Sequence, residues 1–203
     1  MPVVRPPAPP SKRPFTYPLP EEALDEFTHP DPAELLHLPY LLGNGAVLAA
    51  DGHVAVRVQR GFFAAEDFPA APAEVLERIG TLPWHLIARC RERGDWLPLD
   101  DVRGDLYDGP VLPRLTRGES GRWHPPHAPT VRIGGGPVVP LPLLQLIARL
   151  PRVELLVRDL TVYDPVLFRF SGGSGCIGHH RHLTLVPADR QLFHPLTHPG
   201  HLF

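Results

Sequence analysis

Twenty-eight of the 203 residues are proline, and this sets hard limits on the chain's secondary structure. Each proline fixes φ and removes a backbone donor, so it is excluded from helix interiors and from central strands. The chain is therefore expected to build from short helices, short strands and turns. The crowding is greatest in residues 1–20, with prolines at 2, 6, 7, 9, 10, 14, 18 and 20. That segment reads as an extended, polyproline-like arm, either a tail or a strap on a surface.

Prolines also bracket two segments that read as copies of each other. Pro72 to Pro83 is PAEVLERIGTLP, and PLPLLQLIARLP follows 68 residues later, from Pro140 to Pro151. Pro72 aligns with Pro140, Val75 with Leu143, Leu76 with Leu144, Ile79 with Ile147, Leu82 with Leu150 and Pro83 with Pro151. Each unit predicts a short amphipathic helix opened by proline, with its apolar stripe turned to a core. Each then feeds a segment that reads as strand. Such a stripe needs a sheet to cover it. The expectation is an α+β domain with a pseudo-twofold internal repeat, in which two short helices pack on one side of a curved antiparallel sheet.

Between these units the signals are local. Glu21–Phe27 and Asp31–Leu38 predict two short helices, the second capped by Asp31 with Pro32 at its first position. Val47–Ala49 and the alternating Val54, Val56 and Val58 flank Asp51-Gly52, a hairpin signature. Strands are expected at residues 84–92, Val111–Leu115 and Thr130–Ile133, then across RVELLVRDLTVYD, PVLFRFSGG and GCIGHHRHLTLVP. The predicted organisation is an arm over 1–20, one domain over 21–189 with repeat halves at about 40–115 and 116–189, and an irregular tail over 190–203.

Charge is nearly balanced, with 20 Lys+Arg against 22 Asp+Glu. A net charge of -2 provides no global attraction to nucleic acid or to anionic membrane, though a local basic face remains open. Two cysteines, Cys90 and Cys176, are too few for a disulfide framework or a zinc quartet and read as reduced thiols. No signal-peptide core opens the sequence and no apolar run is long enough to span a bilayer, so a soluble cytoplasmic protein is expected.

Two stretches resemble one domain of the DNA sliding clamps, the bacterial polymerase processivity factor and its phage relatives. AVLAADGHVAV, Ala46–Val56, looks like the clamp segment in which a strand meets Asp-Gly-His and turns back. YDPVLFRFSGGSGCIGHH, Tyr163–His180, looks like the clamp's closing element, a Pro-Leu-hydrophobic-Phe strand followed by a glycine turn and a final strand. Gly178-His179 stands where that family carries Met-Pro, and a bacterial clamp protomer has three such domains where this chain has room for one. The resemblance implies a clamp-like domain of two related halves. It also implies a non-enzymatic, DNA-associated or scaffold role of phage or mobile-element type, with duplex DNA, further copies of itself, or a replication or phage protein as partners.

Candidate chemistry follows from three groups of residues. Arg89, Arg91 and Arg93 alternate, so a strand would project all three guanidinium groups from one face, toward phosphates, with Arg114 and Arg117 following. His179, His180 and His182 crowd one segment. On a strand His180 and His182 share a face and could hold zinc, with His53, His124, His127 or Cys176 completing the set. This metal-binding module, or a metal-dependent enzyme built on it, is the alternative function. Asp100 and Asp101, with Asp95 and Asp105, form an acidic loop. IGGGP lacks the Lys-Ser/Thr of a phosphate loop, GESGRW lacks nucleophile-elbow spacing, and no catalytic motif stands out. Gln191-Leu192-Phe193 faintly echoes the Gln-Leu-x-Leu-Phe peptides that dock on clamps.

Overall fold

The computed structural model describes residues 14–64, 67–80, 82, 96–107, 130–133, 136–156, 165–178 and 191–193. They form an α+β fold of short elements. The order is α1 (Glu21–Asp25), β1 (Tyr40–Leu41), β2 (Val47–Ala50), β3 (Val54–Val58), α2 (Ala73–Gly80), β4 (Trp96–Pro98), a 3-10 turn (Leu99–Asp101), β5 (Gly104–Tyr107), β6 (Thr130–Ile133) and β7 (Val138–Pro140). After these come α3 (Leu141–Ile147), β8 (Glu154–Leu156), β9 (Val166–Phe170), β10 (Gly173–Ile177) and β11 (Gln191–Phe193).

The strands make two antiparallel sheets. One has seven strands in the order β1-β2-β3-β10-β9-β8-β4, the other four in the order β11-β5-β6-β7. The β2–β3 hairpin turns at Asp51-Gly52 as its residues predict, with Gly52 at φ 96°. The β9–β10 hairpin turns at Ser171-Gly172, with Gly172 at φ 94°. These two hairpins are far apart in sequence, yet β10 pairs along its whole length with β3, from Gly173 opposite Val58 to Ile177 opposite Val54.

Alternation along the strands divides the interior in two. Val47, Ala49, Val54, Val56, Val58, Leu155, Val166, Phe168, Phe170 and Ile177 face one way and join the larger core. Leu48, Ala50, Ala55, Leu156, Leu167 and Cys176 face the other way and join a smaller one with Tyr40 and Trp96. The larger core also takes Val131, Ile133 and Val139 from the four-stranded sheet, and Leu24 and Phe27 from α1 and the residues after it. Helix α3 lies in this core. Pro140 precedes its first turn and Pro142 stands inside it, where the missing N–H has no helical partner to lose. Leu141, Leu143, Leu144, Leu146 and Ile147 are all buried, so this helix is enclosed rather than amphipathic. Each such side chain removed from water stabilises the fold by about 1.5–3 kcal/mol before entropy is counted.

Helix α2 has different surroundings. It begins 68 residues before α3, as the aligned segments predict. Its Val75 is fully buried in the smaller core, beside Leu36, Tyr40 and Leu48. Leu76, expected on the buried stripe, is 48% exposed. The two helices thus cover opposite faces of the seven-stranded sheet, where the sequence led us to expect both on one side. The reason is parity: α2 follows strands whose alternate residues Leu48, Ala50 and Ala55 need cover, while the other face is already taken by α3.

A further difference is a missing helix. Asp31–Leu38 forms successive turns instead of a helix. The Asp31 side chain does accept from the Ala33 N–H (2.9 Å), but only Leu36 is buried in a core, with Leu35 packed partly buried against it, and Pro39 follows Leu38 at once. Too little apolar surface is buried there to offset the cost of nucleating a helix. Residues 14–20 pack onto the fold. Leu19 is fully buried, the Leu19 N–H donates to the Phe62 carbonyl (2.9 Å), and the Ala64 N–H donates to that of Leu19 (2.9 Å). At the other end, Gln191–Phe193 is the edge strand β11, paired with β5.

Candidate functional site

The described surface carries an open groove, of about 630 Å³, beside β1. Its floor and far wall are apolar: Leu41, Ala70, Ala71 and the exposed Leu76 of α2. Backbone pairing joins Leu41 to the segment that carries Ala70 and Ala71. The Leu41 N–H donates to the Pro69 carbonyl (2.8 Å) and the Ala71 N–H to the Leu41 carbonyl (3.0 Å). The near rim is the Gly43-Asn44-Gly45 turn, closed by Gly45 N–H on the Leu42 carbonyl (2.8 Å) and by Asn44 Oδ1 accepting from the Ala46 N–H (3.1 Å). Gly45 has φ 76°, a conformation that favours glycine. Exposed Arg60 stands over Gly45 and supplies the groove's charge. Such a surface can accept an aliphatic side chain against Leu41 and Leu76 with a carboxylate turned toward Arg60. The sequence signal for it was weak, since nothing local distinguishes an exposed Leu76 from a buried one.

Arg89, Arg91, Arg93, Arg114 and Arg117 lie outside the described residues, as do His179, His180 and His182, together with Cys90, Asp95, His124 and His127. Asp100 and Asp101 belong to the 3-10 turn Leu99–Asp101, and Asp105 lies on β5. Cys176 is buried in the smaller core, and burial pushes its thiol up to about 12. A thiol so placed is a poor nucleophile and a poor ligand. Among the described residues, no three His, Cys, Asp or Glu side chains stand together so as to hold one metal ion. Gln191-Leu192-Phe193 pairs with β5 as an edge strand. Among the described residues no helix is long and apolar enough to cross a membrane.

The β2–β3 turn and the end of β10 do come together. The Gly178 N–H, just beyond β10, donates to the His53 carbonyl (2.6 Å). His53 is thus bonded through its backbone to the residue that precedes His179 in the chain. Compared with protein-family models, with curated proteins and with solved structures, the chain matches none of them.

Proposed function

We propose that this chain is a non-enzymatic, clamp-like scaffold protein that associates with DNA, of phage or mobile-element type, working through assembly and non-specific phosphate contacts. One observation carries the reading. The two stretches that resemble a sliding-clamp domain, Ala46–Val56 and Tyr163–His180, hold β2, the first three residues of β3, β9 and β10, and these strands are consecutive in the seven-stranded sheet. Segments more than a hundred residues apart therefore form one central unit, as a shared structural pattern requires. Helices α2 and α3 open at the same distance from their aligned prolines, as copies of one segment would, although they cover opposite faces of the sheet. Arg89, Arg91, Arg93, Arg114 and Arg117 are the phosphate-facing residues of this reading. The groove beside β1 is the surface on which such a scaffold holds an apolar, acid-bearing segment of a replication or phage partner.

Light scattering and a salt series of duplex-DNA binding test it together. The expected result is an oligomer whose DNA affinity falls steeply with salt. Arg89/Arg91/Arg93→Ala should reduce the slope by roughly one for each guanidinium taken away from a phosphate. A monomer without salt-dependent DNA binding overturns the reading.

The second reading is a metal-binding module on His179, His180 and His182. The bond between Gly178 and the His53 backbone favours it, because it draws a fourth histidine to the start of that cluster. Untagged protein carrying one tightly held zinc per chain, absent from His180→Ala/His182→Ala, is its expected signature.

A further inference from the structure

Strand β1 ends the seven-stranded sheet, and the chain closes that edge only in part. The segment around Ala70 lies beside it. The Leu41 N–H donates to the Pro69 carbonyl (2.8 Å) and the Leu41 carbonyl accepts from the Ala71 N–H (3.0 Å), a parallel bridge centred on Ala70. In such a bridge the bonded groups belong to the residues on either side of the centre, so the N–H and C=O of Ala70 itself point the other way, off the sheet. Ala70 is exposed, and among the described residues neither of these two groups has a hydrogen-bond partner. Unpaired backbone groups on an open edge are a template for a further strand.

This edge borders the groove. Ala70 lines it together with Leu41 and the half-exposed Leu76, and Arg60 is the one charged residue among its described lining residues. We propose that the groove takes an extended peptide of a partner protein by strand addition, with a leucine-like residue opposite Ala70 and a carboxylate two residues away meeting Arg60. The spacing follows from strand geometry: side chains on one face recur every second residue, about 7 Å apart. The strands of this sheet pair antiparallel, and that pairing gives both Ala70 bonds to the one peptide residue opposite it. The small Ala70 side chain leaves room for the incoming aliphatic group, which covers Leu41 and Leu76. A second copy of this chain is the poorer occupant. A two-fold contact sets the patch against itself, so Arg60 would face Arg60 with no carboxylate between them. The inference rests on the scaffold reading for the groove's partner being a protein segment, but its test needs neither DNA nor assembly.

The probe is the peptide acetyl-Thr-Glu-Thr-Leu-Thr-Glu-Thr-amide, which offers a carboxylate two residues to either side of one leucine. Titrated into the full chain, it should give saturable NMR shifts at Leu41, Ala70 and Leu76, with the Ala70 amide gaining exchange protection. That protection is the signature of strand addition, because a peptide held by side chains alone leaves the amide open. N-methylation of the peptide leucine removes its donor to the Ala70 carbonyl and should weaken binding about tenfold. Arg60→Gln should weaken it about threefold and remove most of its salt dependence. Leu76→Ala should weaken it about fivefold. Leu97→Ala, exposed on the opposite edge strand β4, should leave it unchanged. Absence of saturable binding overturns the proposal, as does binding that leaves the Ala70 amide unprotected, or that is unaltered by Arg60→Gln and Leu76→Ala. A dimer whose Ala70 amide is already protected without peptide assigns the edge to a second copy and also overturns it. Peptide binding by a chain that ignores duplex DNA leaves this site standing while the scaffold reading fails; a DNA-binding oligomer that ignores the peptide does the reverse.

Discussion

The Phe168 ring occupies the space where Gly175 would carry a side chain. The two residues are directly opposite on β9 and β10, and a Cβ on Gly175 would stand 2.1 Å from the ring and 2.4 Å from the Ala55 carbonyl oxygen. The next pair repeats the arrangement, with Phe170 over Gly173. The spacing of FRF and GGSG thus encodes two aromatic rings lying across two bare positions on the neighbouring strand, covering backbone that glycine would otherwise leave open.

Gly175→Ala is therefore expected to destabilise the protein by about 3 kcal/mol, the upper part of the overpacking range, because one of the clashing atoms is backbone. Phe168→Ala should cost about 3–5 kcal/mol through the cavity it leaves. Denaturant unfolding measures both. An unchanged midpoint for Gly175→Ala would mean that the two strands do not pair in this register.

Arg149 fastens the N-terminal segment to the domain. Its guanidinium lies 3.8 Å from the Phe15 ring centroid and pairs with Glu26, and its carbonyl accepts the Phe15 N–H (2.8 Å). Arg149→Ala removes the cation–π interaction and the part-buried ion pair together, and should cost about 1–2 kcal/mol. It should also speed proteolytic cleavage ahead of Leu19. Equal cleavage rates in the variant and the unmodified protein would show that the strap is held by other residues.

The Cys176 thiol should stay silent. Burial raises it to about 12, so the folded thiol stays neutral up to strongly alkaline pH, and the stability linked to it is lost progressively as pH rises from the unfolded thiol's range of about 8.5 toward that value. In a Cys90→Ser background, a thiol reagent at pH 8 should modify Cys176 no faster than the protein unfolds. Rapid modification of the native protein would place Cys176 at the surface.

Val75 and Leu76 are neighbours with opposite fates. Val75→Ala should cost about 1.5–3 kcal/mol, the value of a buried side chain of that size. Leu76→Ala should stay within about 0.5 kcal/mol, as exposed positions do. Thermal melts of the two variants check this, and comparable losses would mean that the groove beside β1 is closed in solution.

Much of the local structure was legible in the residues. The Asp51-Gly52 turn and its valines announced the β2–β3 hairpin. Pro140 marked the start of α3, and the apolar Leu143, Leu144, Ile147 and Leu150 marked its burial. Thr130–Ile133 was readable as a strand. These depend on rules that act within a few residues: proline geometry, turn chemistry and side-chain periodicity. Asp31–Leu38 carried a helix cap in its sequence and still forms turns, because too little of its surface reaches the core. The candidate site was much less legible: of the groove, only Gly43-Asn44-Gly45 had a local signal, as a turn.

Proline spacing and alternation by themselves determined that this chain would be an antiparallel α+β assembly of short elements. Only tertiary structure decided that β10 lies between β3 and β9, that α2 and α3 cover opposite faces of one sheet, that Leu76 lines a groove, and that Asp51 keeps one oxygen buried without a partner. The physical reason is the same for all four. Which strand edge meets which, and which face is left for each helix, depends on burying surfaces that are distant in sequence, and no pattern confined to a single segment records that pairing.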